Sequence, residues 1–192
     1  MKEFAIKAFD DSAEVKRRFA RDHADTIVQV AQIIGRAFQT GHKVLLFGNG
    51  GSATDAAHIA AEFVGRYKRE RAPFPAIALA TDIAAITCIA NDYGFEELFA
   101  RQVRAHGQAG DVAIAISTSG NSPNVLKGVE AAKSAGLTTV AWTGGSGGKL
   151  AGMVDYSFIV PSTLTARIQE SHITLGHVLC ELIEDHVLAN PA

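Results

Sequence analysis

Apolar residues are distributed along this chain as five short, uninterrupted runs separated by stretches of helical periodicity. The runs cover residues 43–47, 76–80, 112–116, 138–142 and 156–160. A strand that is apolar at every position is buried on both faces, and such strands belong to parallel sheets covered by helices. The pattern therefore predicts an α/β fold: a three-layer α/β/α sandwich around a five-stranded parallel sheet.

Helical periodicity dominates both ends of the chain. Apolar residues recur at helical spacing from about Ser12 to Thr40, which predicts one or two helices, and Gly41 ends the pattern. A long amphipathic helix is predicted over about 165–188. A helical segment ahead of the first strand needs a partner for its apolar face. We expect that partner to be another subunit, and therefore an oligomer.

Length and charge limit the classes of function. The chain has 192 residues and is 47% hydrophobic, which fits one domain over 1–192, with a helical extension over 1–41 and an α/β core over 42–192. The formal net charge is -2. The densest basic stretch, residues 66–71, is interpreted as a solvated face or an anion-steering rim, so we expect no nucleic-acid partner.

The cysteines and the hydropathy pattern indicate a cellular compartment. Cys88 and Cys180 both lie in apolar helical patterns, so we expect them to be buried, reduced thiols. The sequence contains neither a signal-peptide pattern nor an apolar stretch long enough to span a bilayer. These features predict a cytoplasmic protein without a membrane partner.

Two loops rich in serine and glycine follow the first and third predicted strands, and each opens a helix. They read Gly48-Asn49-Gly50-Gly51-Ser52 and Ser117-Thr118-Ser119-Gly120-Asn121-Ser122. Ligands of parallel sheets bind at the carboxyl ends of the strands, where glycine lets the backbone approach an anion and helix N-termini favour negative charge. One such loop would be explained by helix capping alone, but two at one sheet edge predict phosphate binding.

The first loop also matches a weak dinucleotide pattern, G-x-G-x-x-A, at Gly48, Gly50 and Ala53. A nicotinamide enzyme would then carry an acidic residue about 20 residues further on, whereas Asp82 lies well beyond that distance. A dinucleotide would also leave the second serine-rich loop without a role. We therefore favour a small phosphorylated ligand.

The two loops resemble those of the SIS (sugar isomerase) family of phosphosugar isomerases and phosphosugar-binding proteins. Other segments across nearly the whole chain are similar to the sedoheptulose-7-phosphate isomerases of that family. These segments are Asp55-Ala56-Ala57-His58 through Glu62, Gly65-Arg66-Tyr67, Ala90-Asn91-Asp92-Tyr93-Gly94-Phe95, and Arg167-Ile168-Gln169-Glu170 through His177.

The resemblance implies a flavodoxin-like SIS domain and an aldose–ketose isomerase. Such enzymes interconvert sedoheptulose 7-phosphate and D-glycero-D-manno-heptose 7-phosphate for lipopolysaccharide and other bacterial surface glycans. The resemblance further implies a cytoplasmic homotetramer with active sites where subunits meet and a bound zinc ion, which some members of the family carry. Two alternatives remain open: a non-enzymatic SIS adaptor that binds the replication initiator, and an isomerase of another phosphosugar.

Residue roles also follow from the resemblance. Moving a proton between C1 and C2 requires a base and an acid, and the family implies Glu62 and His177 for these catalytic roles. His58 and Glu62 share a helix face through their i,i+4 spacing, which suits two metal ligands but also occurs on plain polar faces. The family implies zinc ligation by His58, Glu62, Gln169 and His177. It implies substrate contacts from Asn49, Gly50, Gly51, Ser52, Arg66, Asp92, Ser117, Thr118, Ser119, Ser122 and Gln169.

Three positions carry separate expectations. Asp92 is expected in a turn, where a local Asx-type role competes with a contact to sugar hydroxyls. His172 is expected to be a surface or interface histidine. Ala166 stands where some family members carry an acidic residue, which is a departure from the family pattern.

Overall fold

The structure is a computed structural model that describes residues 1–190. These residues form six α-helices, two 3₁₀ turns and five strands, and helices and strands alternate along most of the chain. In order they are α1 Lys2–Gln39, β1 Val44–Gly48, α2 Gly51–Val64, β2 Ala76–Ala78, α3 Ile83–Tyr93, a 3₁₀ turn Phe95–Glu97, α4 Leu98–His106, β3 Val112–Ile116, α5 Pro123–Ser134, β4 Thr138–Gly144, a 3₁₀ turn Leu150–Gly152, β5 Tyr156–Val160 and α6 Thr165–Ala189.

The five strands form one parallel sheet in the order β2-β1-β3-β4-β5. The predicted five-stranded parallel sheet is confirmed, and its order is the flavodoxin-like one. The chain direction across the sheet reverses between β1 and β3. A crevice opens at the carboxyl ends of strands at such a reversal, and both serine- and glycine-rich loops lie there.

Alternate residues of each central strand enter two separate cores. Leu46 and Ile114 face the layer formed by α1, α2 and α6, whereas Leu45 and Ala113 face the layer of α3, α4 and α5. Every residue of β1 and β3 is buried. Burial on both faces explains why these strands are apolar without alternation.

Helix α1 is a single helix that begins at Lys2, ten residues before the predicted start. Its second half packs on α6 of the same chain, where Val30 and Ile34 are fully buried, which corrects the expectation that another subunit covers this apolar face. Its first turns carry apolar side chains that stay exposed, with Phe4 at 79% and Phe9 at 80% of their reference area. The sequence pattern missed these turns because no buried face imposes a helical period on them.

Helices α2 and α6 run side by side in the same direction, which three contacts establish. Gly51 lies against Gln169 and Ile59 lies against Gly176. Beyond the end of α2, the backbone N–H of Tyr67 donates to Glu184 at 2.9 Å. A side chain at position 176 would overlap Ile59, so glycine there lets the two helices approach closely. Equivalent turns of the two helices therefore face each other.

Two expectations about surface position are partly corrected. Cys180 is buried as expected, but Cys88 is exposed on α3. Helix α3 is apolar in sequence, yet Ile89 is its only buried residue. An apolar helical pattern indicates a buried face, but within residues 1–190 most of the apolar face of α3 is not packed against another element. Within the same residues, no helix is both long enough and apolar enough to cross a bilayer.

Candidate active site

The first anion loop, residues 48–52, and the second anion loop, residues 117–122, lie beside each other at the carboxyl ends of β1 and β3. Reciprocal hydrogen bonds join the first loop to the start of α5, the helix that the second loop opens: the side-chain amides of Asn49 and Asn124 each donate to the oxygen of the other at 2.8 Å. Gly48 passes close to the carbonyl of Ile116, where a side chain would not fit. The two loops therefore form one continuous rim.

The first anion loop leads directly into α2. Gly50 has φ 56° and ψ -123°, a conformation that glycine adopts without steric strain. Among the described residues, no side chain caps the N-terminus of α2. The N–H groups of Ser52 and Ala53 donate to the carbonyls of Asn49 and Gly50 at 3.0 Å each, so the loop N–H groups that precede them are the ones placed to receive an anion. Ser52 itself is 4% exposed.

The second anion loop is supported from behind by the segment after β4, residues 145–149. Gly120 has φ 65° and lies against the carbonyl of Gly147, and the backbone N–H of Leu150 donates to the carbonyl of Gly120 at 3.0 Å. The hydroxyls of Ser117 and Ser122 are 3.1 Å apart. These contacts fix the loop that opens α5.

Sequence reasoning missed part of this sheet edge. A cavity of about 310 Å³ continues from Thr118 and Ser119 to the ends of β4 and β5, and its described lining is uncharged. The lining residues that the sequence did not single out are Gly144, Gly145, Ser146, Ser162, Thr163, Thr165 and Ile168. Applying the carboxyl-end rule to the fourth and fifth strands as well would have drawn attention to this region.

A cluster of three side chains lies two turns along the helix pair. The Nε2 atom of His58 is 3.2 Å from Oε1 of Glu62 and 3.4 Å from Nε2 of His177. One donor atom from each of the three residues lies within 4.8 Å of the others. The parallel pairing of α2 and α6 brings His177 to the level of His58, so two distant sequence segments form one cluster.

Burial shapes the chemistry around this cluster. Burial raises the pKa of Asp55, one turn before His58, and the charge of His58 partly opposes the rise. Burial, with Glu62 and Glu184 adding to it, raises the pKa of Cys180 to about 12. The Cys180 thiol therefore stays protonated and unreactive near the cluster.

Gln169 lies apart from the cluster within this chain. Its side-chain amide nitrogen occupies the space where a side chain at position 51 would begin, so it contacts the first anion loop. Gly51 precedes His58 by seven residues, a rise of about 10 Å along α2. The structure thus groups Gln169 with the loops, and its role as a metal ligand stays a prediction.

Arg66 and Asp92 are not brought to the anion loops within this chain. Arg66 follows the C-terminal end of α2 and pairs with Glu70 at 3.6 Å. Asp92 lies in the last turn of α3 rather than in a turn, and it lines a cavity of about 380 Å³ with Arg101. Their contacts with substrate stay predictions.

His172 is buried, which corrects the expected surface position. Its Nε2 lies 3.1 Å from the carbonyl of Thr143, at the end of β4. Burial lowers the pKa of His172 to about 4, although the hydrogen bond to Thr143 opposes this. The ring is therefore neutral at pH 7 and donates from Nε2, which ties α6 to the sheet.

The parallel five-stranded sheet with paired anion loops defines a SIS domain, and the family model described as SIS domain matches residues 9–144. Phosphoheptose isomerases are similar over almost the full length. The relative from Aquifex aeolicus is 60% identical over 97% of this chain and 98% of its own. The relative from Thermodesulfovibrio yellowstonii is 57% identical over 97% and 92%. This chain belongs to the phosphoheptose isomerase group of the SIS family.

Solved structures agree with the sequence comparison. A phosphoheptose isomerase from Neisseria gonorrhoeae superposes with a TM-score of 0.91 at 43% identity, covering 96% of this chain and 98% of that chain. One from Francisella tularensis superposes with a TM-score of 0.92 at 39% identity, covering 96% and 99%. The expected SIS fold and isomerase membership are confirmed.

Proposed function

We propose that this protein interconverts sedoheptulose 7-phosphate and D-glycero-D-manno-heptose 7-phosphate, as an aldose–ketose isomerase that supplies heptose for bacterial surface glycans. Membership of the phosphoheptose isomerases supports the reaction class. The observation that carries the proposal is the layout of α2, which has an anion loop at its start, His58 two turns later and Glu62 three turns later, with His177 of α6 beside them.

The spacing along α2 suits a seven-carbon substrate. An extended chain from the phosphorus atom to C1 of a heptose 7-phosphate has about eight bonds and spans about 10 Å, taking roughly 1.2 Å per bond as in an extended backbone. The rise from Gly51 to His58 is also about 10 Å. A phosphate at the anion loops would therefore bring the C1 end of the sugar to the level of His58, one turn before Glu62. A pentose phosphate is about 2 Å shorter by the same measure.

Glu62 and His177 supply the acid–base chemistry in this proposal. Starting from the ketose, Glu62 takes a proton from C1 while His177 donates a proton to the carbonyl oxygen on C2, which gives an enediol. His177 then accepts the proton of the C1 hydroxyl while Glu62 returns its proton to C2. The aldose forms, and both residues regain their starting protonation states.

The donor set of the cluster fits zinc. Zinc binds imidazole nitrogen at about 2.0–2.1 Å in tetrahedral sites, so neighbouring ligand atoms are about 3.4 Å apart. The separations of 3.2 Å between His58 and Glu62 and 3.4 Å between His58 and His177 match that value. His58, Glu62 and His177 would hold the ion, which when bound would polarise the substrate oxygens at C1 and C2 as a Lewis acid. Because ligation weakens a carboxylate as a base and occupies an imidazole nitrogen, Glu62 and His177 would transfer protons only while not bound to the ion.

The anion loops would hold the other end of the substrate. The N-termini of α2 and α5 and the hydroxyls of the second anion loop suit a phosphate. Gln169 contacts the first anion loop, and its amide suits a sugar hydroxyl. The residues proposed to contact substrate here are Asn49, Gly50, Gly51, Ser52, Ser117, Thr118, Ser119, Ser122 and Gln169.

The assembly is proposed to be a cytoplasmic homotetramer with active sites between subunits. Exposed apolar side chains on α1 and α3, among them Phe9 and Ile83, supply a surface that a second copy would cover. Arg66 and Asp92 would reach substrate bound to a neighbouring copy, since neither approaches the loops of its own chain.

One assay tests the activity and the metal together. The purified protein is mixed with sedoheptulose 7-phosphate, and aldose phosphate formation is followed with and without a chelator. Turnover that is lost on chelation and restored by zinc supports both proposals. Turnover that is unchanged by the chelator supports the isomerase activity and excludes zinc from its mechanism. Absence of turnover in both conditions rejects the isomerase and favours the adaptor alternative.

A further inference from the structure

The segment after α2, residues 65–72, is held against α6 by the buried carboxylate of Glu184, with two exposed ion pairs beside it, and we call this segment the anchor loop. Glu184 of α6 accepts hydrogen bonds from the backbone N–H groups of Tyr67, Lys68 and Arg69 at 2.9, 3.0 and 3.1 Å. Burial would raise the pKa of Glu184, but these N–H donors and the charge of Arg71 lower it on balance. Glu184 is therefore ionised at neutral pH.

Arg71 joins the same carboxylate to the end of α2. Its Nε lies 3.0 Å from Glu184, and both side chains are 2% exposed. Its remaining N–H groups donate to the carbonyls of Glu62 and Phe63 at 2.9 Å each. Glu62 belongs to the proposed acid–base cluster, so Arg71 and Glu184 fix the turn of α2 that carries it relative to α6.

The anchor loop places an aromatic ring on the cluster. The ring of Tyr67 stacks on the imidazole of His177, with centroids 5.6 Å apart and planes 16° from parallel. The ring of His58 meets the same imidazole edge-on at 5.1 Å. His177 is therefore contacted by Tyr67 and by His58, and its ring plane has little freedom to turn.

The energetics favour a positioning role for these contacts. A buried ion pair often contributes little net stability, because removing both charges from water offsets their attraction. If residues 65–72 only had to cover a hydrophobic core, apolar side chains would be sufficient. What the Glu184–Arg71 pair adds is a fixed path for the backbone at Tyr67.

We propose that Tyr67 is a positioning residue for His177. The anchor loop, through its hydrogen bonds to Glu184, holds the Tyr67 ring against the His177 imidazole. The stacked ring keeps the His177 imidazole oriented with Nε2 toward His58 and Glu62. The inference rests on the proposed role of His177 in the isomerase. It assigns Tyr67 no proton transfer, so the aromatic ring is sufficient and the hydroxyl is not required.

Three variants test this inference. Tyr67→Phe keeps the stack, Tyr67→Leu removes it, and Tyr156→Leu removes a tyrosine from the start of β5, at the opposite edge of the sheet. Each protein is measured for kcat and KM with sedoheptulose 7-phosphate, for zinc affinity by calorimetry, and for stability in urea.

The expected pattern separates positioning from general damage. Tyr67→Leu should lower kcat about 10- to 100-fold with little change in KM, because misplacing a catalytic group by about 1 Å has effects of that size. It should also weaken zinc binding about 10-fold or more, as loss of an outer-shell partner does. Tyr67→Phe should match the unmodified protein in both readouts, and Tyr156→Leu should alter stability alone.

Three outcomes would overturn the inference. A folded Tyr67→Leu protein with unchanged kcat and zinc affinity removes Tyr67 from any positioning role. A Tyr67→Phe protein as impaired as Tyr67→Leu assigns the effect to the hydroxyl. Equal losses in Tyr156→Leu make the effect a general one. If the unmodified protein has no isomerase activity, the proposed function has failed, and the zinc titration alone decides whether Tyr67 positions His177.

Discussion

The hydroxyl oxygen of Ser119 accepts a hydrogen bond from the backbone N–H of Asn121 at 3.2 Å. Because the oxygen serves as the acceptor, the hydroxyl proton remains available to donate to a ligand. Ser119 also lines the cavity at the sheet edge. This arrangement suits a phosphate oxygen as the acceptor.

Replacing this serine should weaken substrate binding. In Ser119→Ala one charge-assisted hydrogen bond is lost, which is worth about 1.5–3 kcal/mol. KM for sedoheptulose 7-phosphate should rise about 10- to 100-fold while kcat changes little. Ser134→Ala, at the far end of α5, serves as the control and should leave KM unchanged. An unchanged KM in Ser119→Ala would place the phosphate elsewhere.

Removing the proposed base should separate binding from turnover. Glu62→Gln keeps the shape of the side chain but cannot accept the C1 proton, so turnover should fall at least about 10²- to 10⁴-fold. Binding of the phosphosugar, measured by calorimetry, should stay close to that of the unmodified protein. Glu130→Gln on the exposed side of α5 is the matched control. Substantial residual turnover in Glu62→Gln would take Glu62 out of the base role.

Acid should destabilise the protein through His172. The pKa of this ring is lowered by burial from 6.5 to about 4, so the unfolded chain binds a proton at higher pH than the folded protein does. The contribution of the neutral His172 ring to the free energy of unfolding is present above about pH 6.5 and is lost as the pH falls toward 4. By linkage the loss amounts to about 3 kcal/mol.

Urea unfolding at several pH values between 7.5 and 4.5 measures this effect. His172→Gln still offers an N–H to Thr143 but does not titrate, so its stability should vary less across that window. A variant with the same pH dependence as the unmodified protein would show that His172 does not cause the acid loss.

The hydrogen-bonded amides of Asn49 and Asn124 should make the stability of the first anion loop depend on that of the start of α5. Asn124→Asp places an oxygen opposite the oxygen of Asn49 and adds negative charge beside the proposed phosphate site. Asn124 is 2% exposed, so the change should lower the free energy of unfolding by at least about 2 kcal/mol and raise KM.

A double-mutant cycle tests the pair itself. Asn49→Ala and Asn124→Ala together should lose less stability than the sum of the single losses, because each single variant already breaks the pair. Additive losses would mean that the two loops are stabilised independently.

The sequence predicted the sheet, and the position of the two loops at its carboxyl edge, because local chemistry determines both. Continuous apolar runs indicated strands buried on two faces, and glycine with serine at strand ends indicated the start of a helix. The first turns of α1 escaped this reasoning because Phe4 and Phe9 face solvent in the chain. Their positions do not respond to a core, so they show no apolar period.

The anchor loop could not be interpreted from its own residues. Its basic run predicted a solvated face, yet Arg71 is buried and bonded to Glu184, more than a hundred positions further along the chain. Lys68 and Arg69 do stay exposed, paired with Glu181 and Asp185. Sequence spacing gives no sign of which arginine in a run has a distant acid as its partner. His172 was misjudged for the same reason, since its partner Thr143 lies on another element.

The parallel pairing of α2 and α6 has a consequence for how such a protein changes during evolution. Inserting one turn into either helix alone would shift Gly51 against Gln169, or His58 against His177, and would dismantle the site. A longer or shorter substrate would therefore require matched insertions or deletions at two places far apart in the gene. Residues in the loops can change one at a time, so the chemistry at the phosphate end can diversify while the length of sugar that fits stays constant.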